Sequence, residues 1–419
     1  MSVSFGRTRA RDRARFPRDL PRRAGFDFRS RTPGYSTTPL SGFGFSRASS
    51  IDSVQTSEST LVLCPTQADV LRFGRWQSAW DVGLSLGGPQ INYVVWSYDY
   101  SQLGAGKWTD FPTSSNIIRT AGKTDPSGGS LATRVQITAV THVVSEYAPL
   151  TMPGETAATW SIWIRNGTPN TNLFRSIAGR IGSTVSAGAS WSRVSISGAI
   201  AVGEAASGVP VDGRDWSAIG GLAAGTRDVE IFGAARTGGV ILDELIPTNG
   251  AAHGRAGTLC WIPARDWMPI VAACGGRLRI ELDFRVKGSR AKHAPYGLMW
   301  LWHHFDNASC WCDPGTGTTT IRDTTGATNT WPMPAFADYD RVRIWTETGS
   351  GVATSVQYRI NEGLVVSASV TGSPLGAMAT STARDLYVLN SNSASAGHVW
   401  CWAYQVWVYP AGQRPDWVA

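Results

Sequence analysis

Two carboxylates, Glu281 and Asp283 in the run RLRIELDFRVK (277–287), have a spacing that could serve hydrolytic chemistry. Residues i and i+2 of a strand share a face, and glycoside hydrolysis needs two carboxyl groups flanking one bond. The simpler expectation is an outer strand with solvent-facing charges. A second cluster, His303-His304 followed by Cys310-Trp311-Cys312, has ligand-type side chains. Its spacing is not a standard zinc pattern, and adjacent histidines on a strand point to opposite faces. No metal and no cofactor are therefore expected. A third cluster is aromatic. Trp311, with Asp306, Asn307 and Asp313 nearby, combines a stacking ring with amide and carboxylate partners, as a glycan site does. Trp300, Trp302 and His304 share a strand face in 296–305, and Trp400, Trp402 and Tyr404 share one in 398–409. Such faces either fill a core or a subunit interface or form a sugar platform, and the first is expected of most of them. No phosphate-binding loop, dinucleotide fingerprint, nucleophile elbow or Cys-x-x-Cys pair occurs. The chain is expected not to be an enzyme.

The elements that would position these residues read as β throughout. The chain has 419 residues, with 46 Gly, 19 Trp and 16% charged residues. That length implies two or three domains. Short β-branched runs between Gly-rich turns imply strands, and no helix of any length is expected. No apolar run is long enough to span a membrane, and the polar N-terminus has no apolar core of a secretory signal. The six cysteines are accordingly expected as free thiols, with Cys64, Cys274 and Cys401 as small core residues.

Charge is concentrated at one end. Residues 1–50 hold eleven arginines, no lysine and three aspartates, a net +8 against +7 for the whole chain, so the remainder is close to neutral. Residues 1–45 read as an extended arm, with four prolines, spaced aromatics and no sustained apolar period. Arginines 7, 9, 11, 13, 15, 22 and 23 (Arg7, Arg9, Arg11, Arg13, Arg15, Arg22, Arg23) are its candidate anchors. Arginine beside phenylalanine suits docking on a protein surface. Nucleic acid is the other reading of such an arm, and the interleaved Asp12, Asp19 and Asp27 argue against it. Residues 46–106 read as a β-rich connecting segment, 107–255 as one β-sandwich and 256–419 as a second. In TRDVEIFGAARTGG (226–239), Val229, Ile231 and Gly233 alternate with Asp228, Glu230 and Phe232, and Gly238-Gly239 ends the strand.

Several elements, in order, resemble those of bacteriophage virion proteins. They begin with Phe45-Ser46-Arg47-Ala48-Ser49, then Arg72-Phe73, the run from Gly83 through Gln90-Ile91-Asn92 to Trp96-Ser97, and Trp108-Thr109. There follow a turn at Asp125-Pro126-Ser127-Gly128, Trp160-Ser161-Ile162-Trp163-Ile164-Arg165 and Trp191-Ser192-Arg193-Val194-Ser195. The series closes with Val229-Glu230-Ile231-Phe232-Gly233-Ala234 and Ile246-Pro247-Thr248-Asn249-Gly250-Ala251. This sequence departs from that pattern in lacking a Glu in the Gly83 element and in carrying Ala235 where Gln is usual. The resemblance implies a carbohydrate-binding-module-like jelly roll in 107–255. The strand order of 256–419 is similar to concanavalin-like or laminin-G-like domains. Glu281-Leu282-Asp283 also resembles the Glu-x-Asp-x-x-Glu strand of one group of β-glucan hydrolases, with the last acid missing.

The fold class that follows is all-β, two antiparallel β-sandwich (jelly-roll) domains after an extended N-terminal arm. The resemblance implies a virion appendage, a tail fibre or receptor-binding protein. Its arm would dock on capsid or tail proteins, and its sandwiches would contact a host-surface glycan. A capsid decoration or head-fibre protein is the alternative. A homo-oligomer, by analogy a trimer, is expected, with no membrane partner. Removal of residues 1–45 is expected to leave the sandwiches folded.

Overall fold

The structure, a computed structural model, describes residues 23–47, 52–64, 69–103, 107–111, 115–140, 143–146, 152, 155–166, 170–175, 180–185, 188–200, 207–209, 211–215, 217–219, 223–304, 308–323, 325–349, 354–369, 384–390, 398–410 and 413–418. The protein is all-β, and the paired strands of its sheets run antiparallel.

The largest sheet has nine strands. Its order is Gly34–Ser36, Leu71–Gly74, Gly83–Leu86, Cys401–Val408, Leu278–Val286, Arg341–Thr348, Ser355–Ile360 and Val365–Ser369, and Ala24–Asp27 also pairs with Cys401–Val408. A seven-stranded sheet runs Thr328–Pro332, Thr318–Arg322, Ser309–Asp313, Met299–His303, Leu386–Val388, Leu259–Ile262 and Gly44–Ser46. One apolar cluster draws side chains from both sheets, among them Phe28, Leu84, Leu282, Phe284, Leu301, Trp302, Ile321, Val388 and Val406. Such interdigitation of two inner faces is sandwich packing.

Chain order and sheet membership do not coincide. Residues 23–46, expected as part of an extended arm, carry three strands that pair into the sheets: Phe26 lies opposite Val406, Tyr35 opposite Arg72 and Phe45 opposite Cys260. The physical reason is apolar burial. Phe28 and Phe43 are buried, their rings 5.1 Å apart edge to face, and they complete the core between the two sheets. The connecting segment adds Leu71–Gly74 and Gly83–Leu86 to the same sheet.

A second seven-stranded sheet is centred on Arg227–Gly238, which pairs with Ala132–Ile137 on one side and Ala157–Arg165 on the other. The three-stranded sheet of Val211–Asp212, Val143–Glu146 and Trp108–Phe111 shares a core with it through Trp108, Ile162, Val211 and Ile231. Alternation holds through Ile231 and then changes. Gly233 takes φ +64°, and the register with the neighbouring strand shifts between Ser161 and Trp163. This is a bulge. Phe232, read with Asp228 and Glu230 on the other face, is fully buried because it is covered by Trp163, Trp191 and Leu245.

The expectation of no helix is corrected. Ala264–Ala273 is an α-helix that lays Trp267, Ile270 and Val271 on the large core. The spacing i, i+3, i+4 is present in the sequence, but Pro269 inside the segment reads as a breaker. Asp385 accepts the Ala264 amide at 2.9 Å, and Trp267 Nε1 donates to the Arg384 carbonyl at 3.1 Å. Tertiary contacts thus substitute for the missing cap.

Candidate functional site

Two constellations of charged side chains stand out, one sealed and one open. The sealed one joins segments far apart in sequence. Asp52 accepts from Arg47 Nη1 at 2.8 Å and from Arg72 Nη1 at 2.7 Å, and Arg255 Nη1 lies 3.6 Å away. Arg255 also pairs with Asp243, which pairs in turn with Lys287. Lys287 donates to Ser85 Oγ at 2.8 Å, and Ser85 donates to Glu244 at 3.0 Å. Arg193 Nη1 reaches the Asp243 carbonyl at 2.7 Å, and its Nη2 reaches Ser161 Oγ at 3.1 Å. All of these side chains are buried.

Burial alone would raise the Asp52 carboxyl, but Arg72, Arg255 and Arg47 outweigh it and hold the group below its ordinary value. Burial pulls Lys287 down to about 7, against the carboxylate of Glu244. Buried charges persist only when paired and hydrogen-bonded. Here each carboxylate has at least one cationic partner.

Three of these arginines, Arg47, Arg72 and Arg193, lie in short sequence elements singled out above. A second pair of those elements meets nearby. The Thr248 amide donates to Ser97 Oγ at 2.8 Å, and the Ser97 amide donates to Thr248 Oγ1 at 3.0 Å. Asn92 bridges the same region, donating to the Ile246 carbonyl at 2.8 Å and accepting from the Arg236 amide at 3.0 Å. The buried charges tie Leu71–Gly74, Gly83–Leu86 and Leu278–Val286 of the nine-stranded sheet to Ala157–Arg165 and His253–Arg255 of the sheet centred on Arg227–Gly238, while the Ser97, Thr248 and Asn92 bonds lie beside that second sheet.

The open constellation is a groove of about 500 Å³ beside Leu278–Val286. Its walls carry Glu281, Asp283, Gln405, Tyr409, Trp417 and Asp416, together with Arg23, Arg29, Arg343, Arg359 and Arg414. Glu281 accepts from Tyr409 OH at 2.7 Å and from Trp417 Nε1 at 2.8 Å. Burial raises the Glu281 carboxyl above its ordinary value, against those two hydrogen bonds. Asp283 is held differently. Arg341 grips it through Nε at 2.8 Å and Nη2 at 2.6 Å, and Arg343 Nε lies 3.5 Å from it. Both carboxylates are buried on a central strand, which corrects the expectation of solvent-facing charges on an outer one. The strand is central because Cys401–Val408 returns to pair along its free edge, a long-range event that local sequence does not announce. Arg341 thus holds both Asp283 oxygens.

The aromatic candidates separate. Trp302 is fully buried and donates to Thr346 Oγ1 at 3.1 Å, so it is a core residue and no platform. Trp311 lies on the strand Ser309–Asp313 rather than in a loop; Cys310 and Cys312 point inward, and its own ring stays half-exposed against Trp300 at 5.3 Å. Asp313 accepts from the Gly315 and Thr316 amides and shapes the following turn. Asp306 and Asn307 lie outside the described residues, as do Arg7, Arg9, Arg11, Arg13, Arg15 and Arg22. Arg23 lies over the Trp407 ring at 3.9 Å. His303 packs edge-on to Trp300 at 5.2 Å, while His304 is buried edge-on to Trp267 at 5.3 Å, the separation of faces that strand alternation requires. All six cysteines are free and buried.

Comparison with known protein-family models and with curated proteins returns no match for this chain.

Proposed function

We propose that this chain is a bacteriophage virion appendage. Its arginine-rich N-terminal stretch docks on capsid or tail proteins, and its β-sandwich body is displayed outward, as a homo-oligomer, to contact a host-surface glycan. The observation that carries the reading is the convergence of the virion-like elements. Arg47, Arg72 and Arg193, from three of them, meet in one buried network, and Ser97 and Thr248, from two more, fasten to each other. Arg47, Arg72 and Arg193 thus help tie strands of different sheets together, as a displayed unit needs. The half-exposed Trp311 and Trp300 supply an outward aromatic face of the type that stacks on pyranose rings. The gripped Asp283 favours binding over catalysis. The test is incorporation. Virions assembled with the full chain should carry it, and virions assembled with a variant lacking residues 1–22 should not. Equal incorporation of both would overturn the docking role.

A further inference from the structure

We propose that the groove walled by Glu281, Arg343, Arg359, Arg414 and Trp417 binds a carboxylate-bearing saccharide, such as a uronic-acid oligomer. The proposal deepens the reading above only in taking the ligand to be a sugar chain.

The lining itself sets the ligand's chemistry. Five arginines and three carboxylates face one space of about 500 Å³, within the ordinary range of ligand sites. Arg343 and Arg359 share the Glu362 carboxylate, at 3.1 and 3.0 Å. A guanidinium has five N–H donors in a fixed fork, more than these contacts use, and that fork matches a carboxylate. Arg414, also in the lining, reaches Glu347 at 3.0 Å and is half-exposed. Anion recognition alone does not explain the rest of the wall. Asp416 and Gln405 add acceptors, which suit hydroxyl donors. Trp417 offers a half-buried ring fixed by its hydrogen bond to Glu281. A ligand that answers all three features has acidic groups, hydroxyls and a flat apolar face, and an acidic sugar has each. The seven arginines and two aspartates of residues 1–22 make the chain's own N-terminal stretch a poor occupant of an arginine-lined groove.

The experiment is titration calorimetry of the full-length chain with a tetramer of galacturonic acid and with the same tetramer methyl-esterified. The acid form should bind, and the ester should bind at least tenfold more weakly. Arg359→Ala, at a half-exposed position whose partner Glu362 is in solvent, should weaken the acid form about tenfold. Arg414→Ala, from the C-terminal tail, gives the same test should Arg359→Ala fail to fold. Ile118→Ala, an exposed position on a different sheet, should leave it unchanged. Equal binding of acid and ester, no binding of the acid, or indifference to both arginine variants would overturn the proposal. None of these outcomes bears on whether the chain enters virions, which the incorporation assay decides separately.

Discussion

Arg72 Nη1 donates to Asp52 Oδ2 at 2.7 Å with both side chains 1% exposed, which makes this ion pair the inner knot of the molecule. Asp52 serves three arginines from three separate segments. Removing it strands their charges where water cannot reach. Asp52→Ala should therefore cost about 3–5 kcal/mol, read as a lower midpoint in urea unfolding. A loss below about 1 kcal/mol would mean that the network is incidental to the fold.

Truncation separates anchor from body. Deleting residues 1–22 should leave thermal unfolding nearly unchanged. Deleting residues 1–45 also removes Phe28 and Phe43 from the core and three strands from their sheets. Loss of one buried Phe costs about 3–5 kcal/mol, so the shorter chain should be unfolded by circular dichroism. A folded chain beginning at residue 46 would contradict the strand pairing of Phe26 with Val406.

Two of the candidate glycan-site tryptophans, Trp302 and Trp311, should respond in opposite ways. Trp302→Ala empties a buried site and breaks the bond to Thr346, at a cost of about 3–5 kcal/mol. Trp311→Ala removes a half-exposed ring and should cost about 1 kcal/mol or less. Equal losses would mean that Trp311 is also core.

Acid sensitivity should include a contribution from His293. Its ring is buried, edge-on to Phe336 at 5.9 Å, and 3.0 Å from the Ser289 carbonyl. Burial pushes its pKa down to about 4, against backbone oxygens and the Asp338 carboxylate. An unfolded imidazole titrates near 6.5. Between those values the unfolded chain binds a proton that the folded chain does not, so stability falls as pH drops through this window. The contribution is roughly 3 kcal/mol between pH 7 and 4. Urea midpoints of the wild type and His293→Gln should converge as pH falls. A gap that stays constant from pH 7 to 4 would refute this assignment.

Strand positions were legible where alternation was strict. The runs 228–236 and 277–287 became Arg227–Gly238 and Leu278–Val286, because a two-residue period speaks for itself. What local pattern could not convey was pairing. Phe26 and Phe28 looked like ornaments of a basic arm, since the strand they meet lies more than 370 residues away. Glu281 and Asp283 looked solvent-facing for the same reason. Arg47, Arg72 and Arg193 were visible in their motifs, but only the fold shows that they share a buried network, and composition gives no sign that arginines so placed are sealed from water. The groove arginines Arg343, Arg359 and Arg414 were missed altogether. They come from separate strands and the C-terminal tail, and no linear spacing joins them.

The most direct measurement of the central claim is electron cryo-microscopy of purified virus particles from the source of this sequence, with the chain identified in them by mass spectrometry. The account expects the chain to be present, its first 22 residues set against capsid or tail subunits and its nine-stranded sheet facing outward. Particles that lack the chain while the infected cell contains it in soluble form would contradict the assignment.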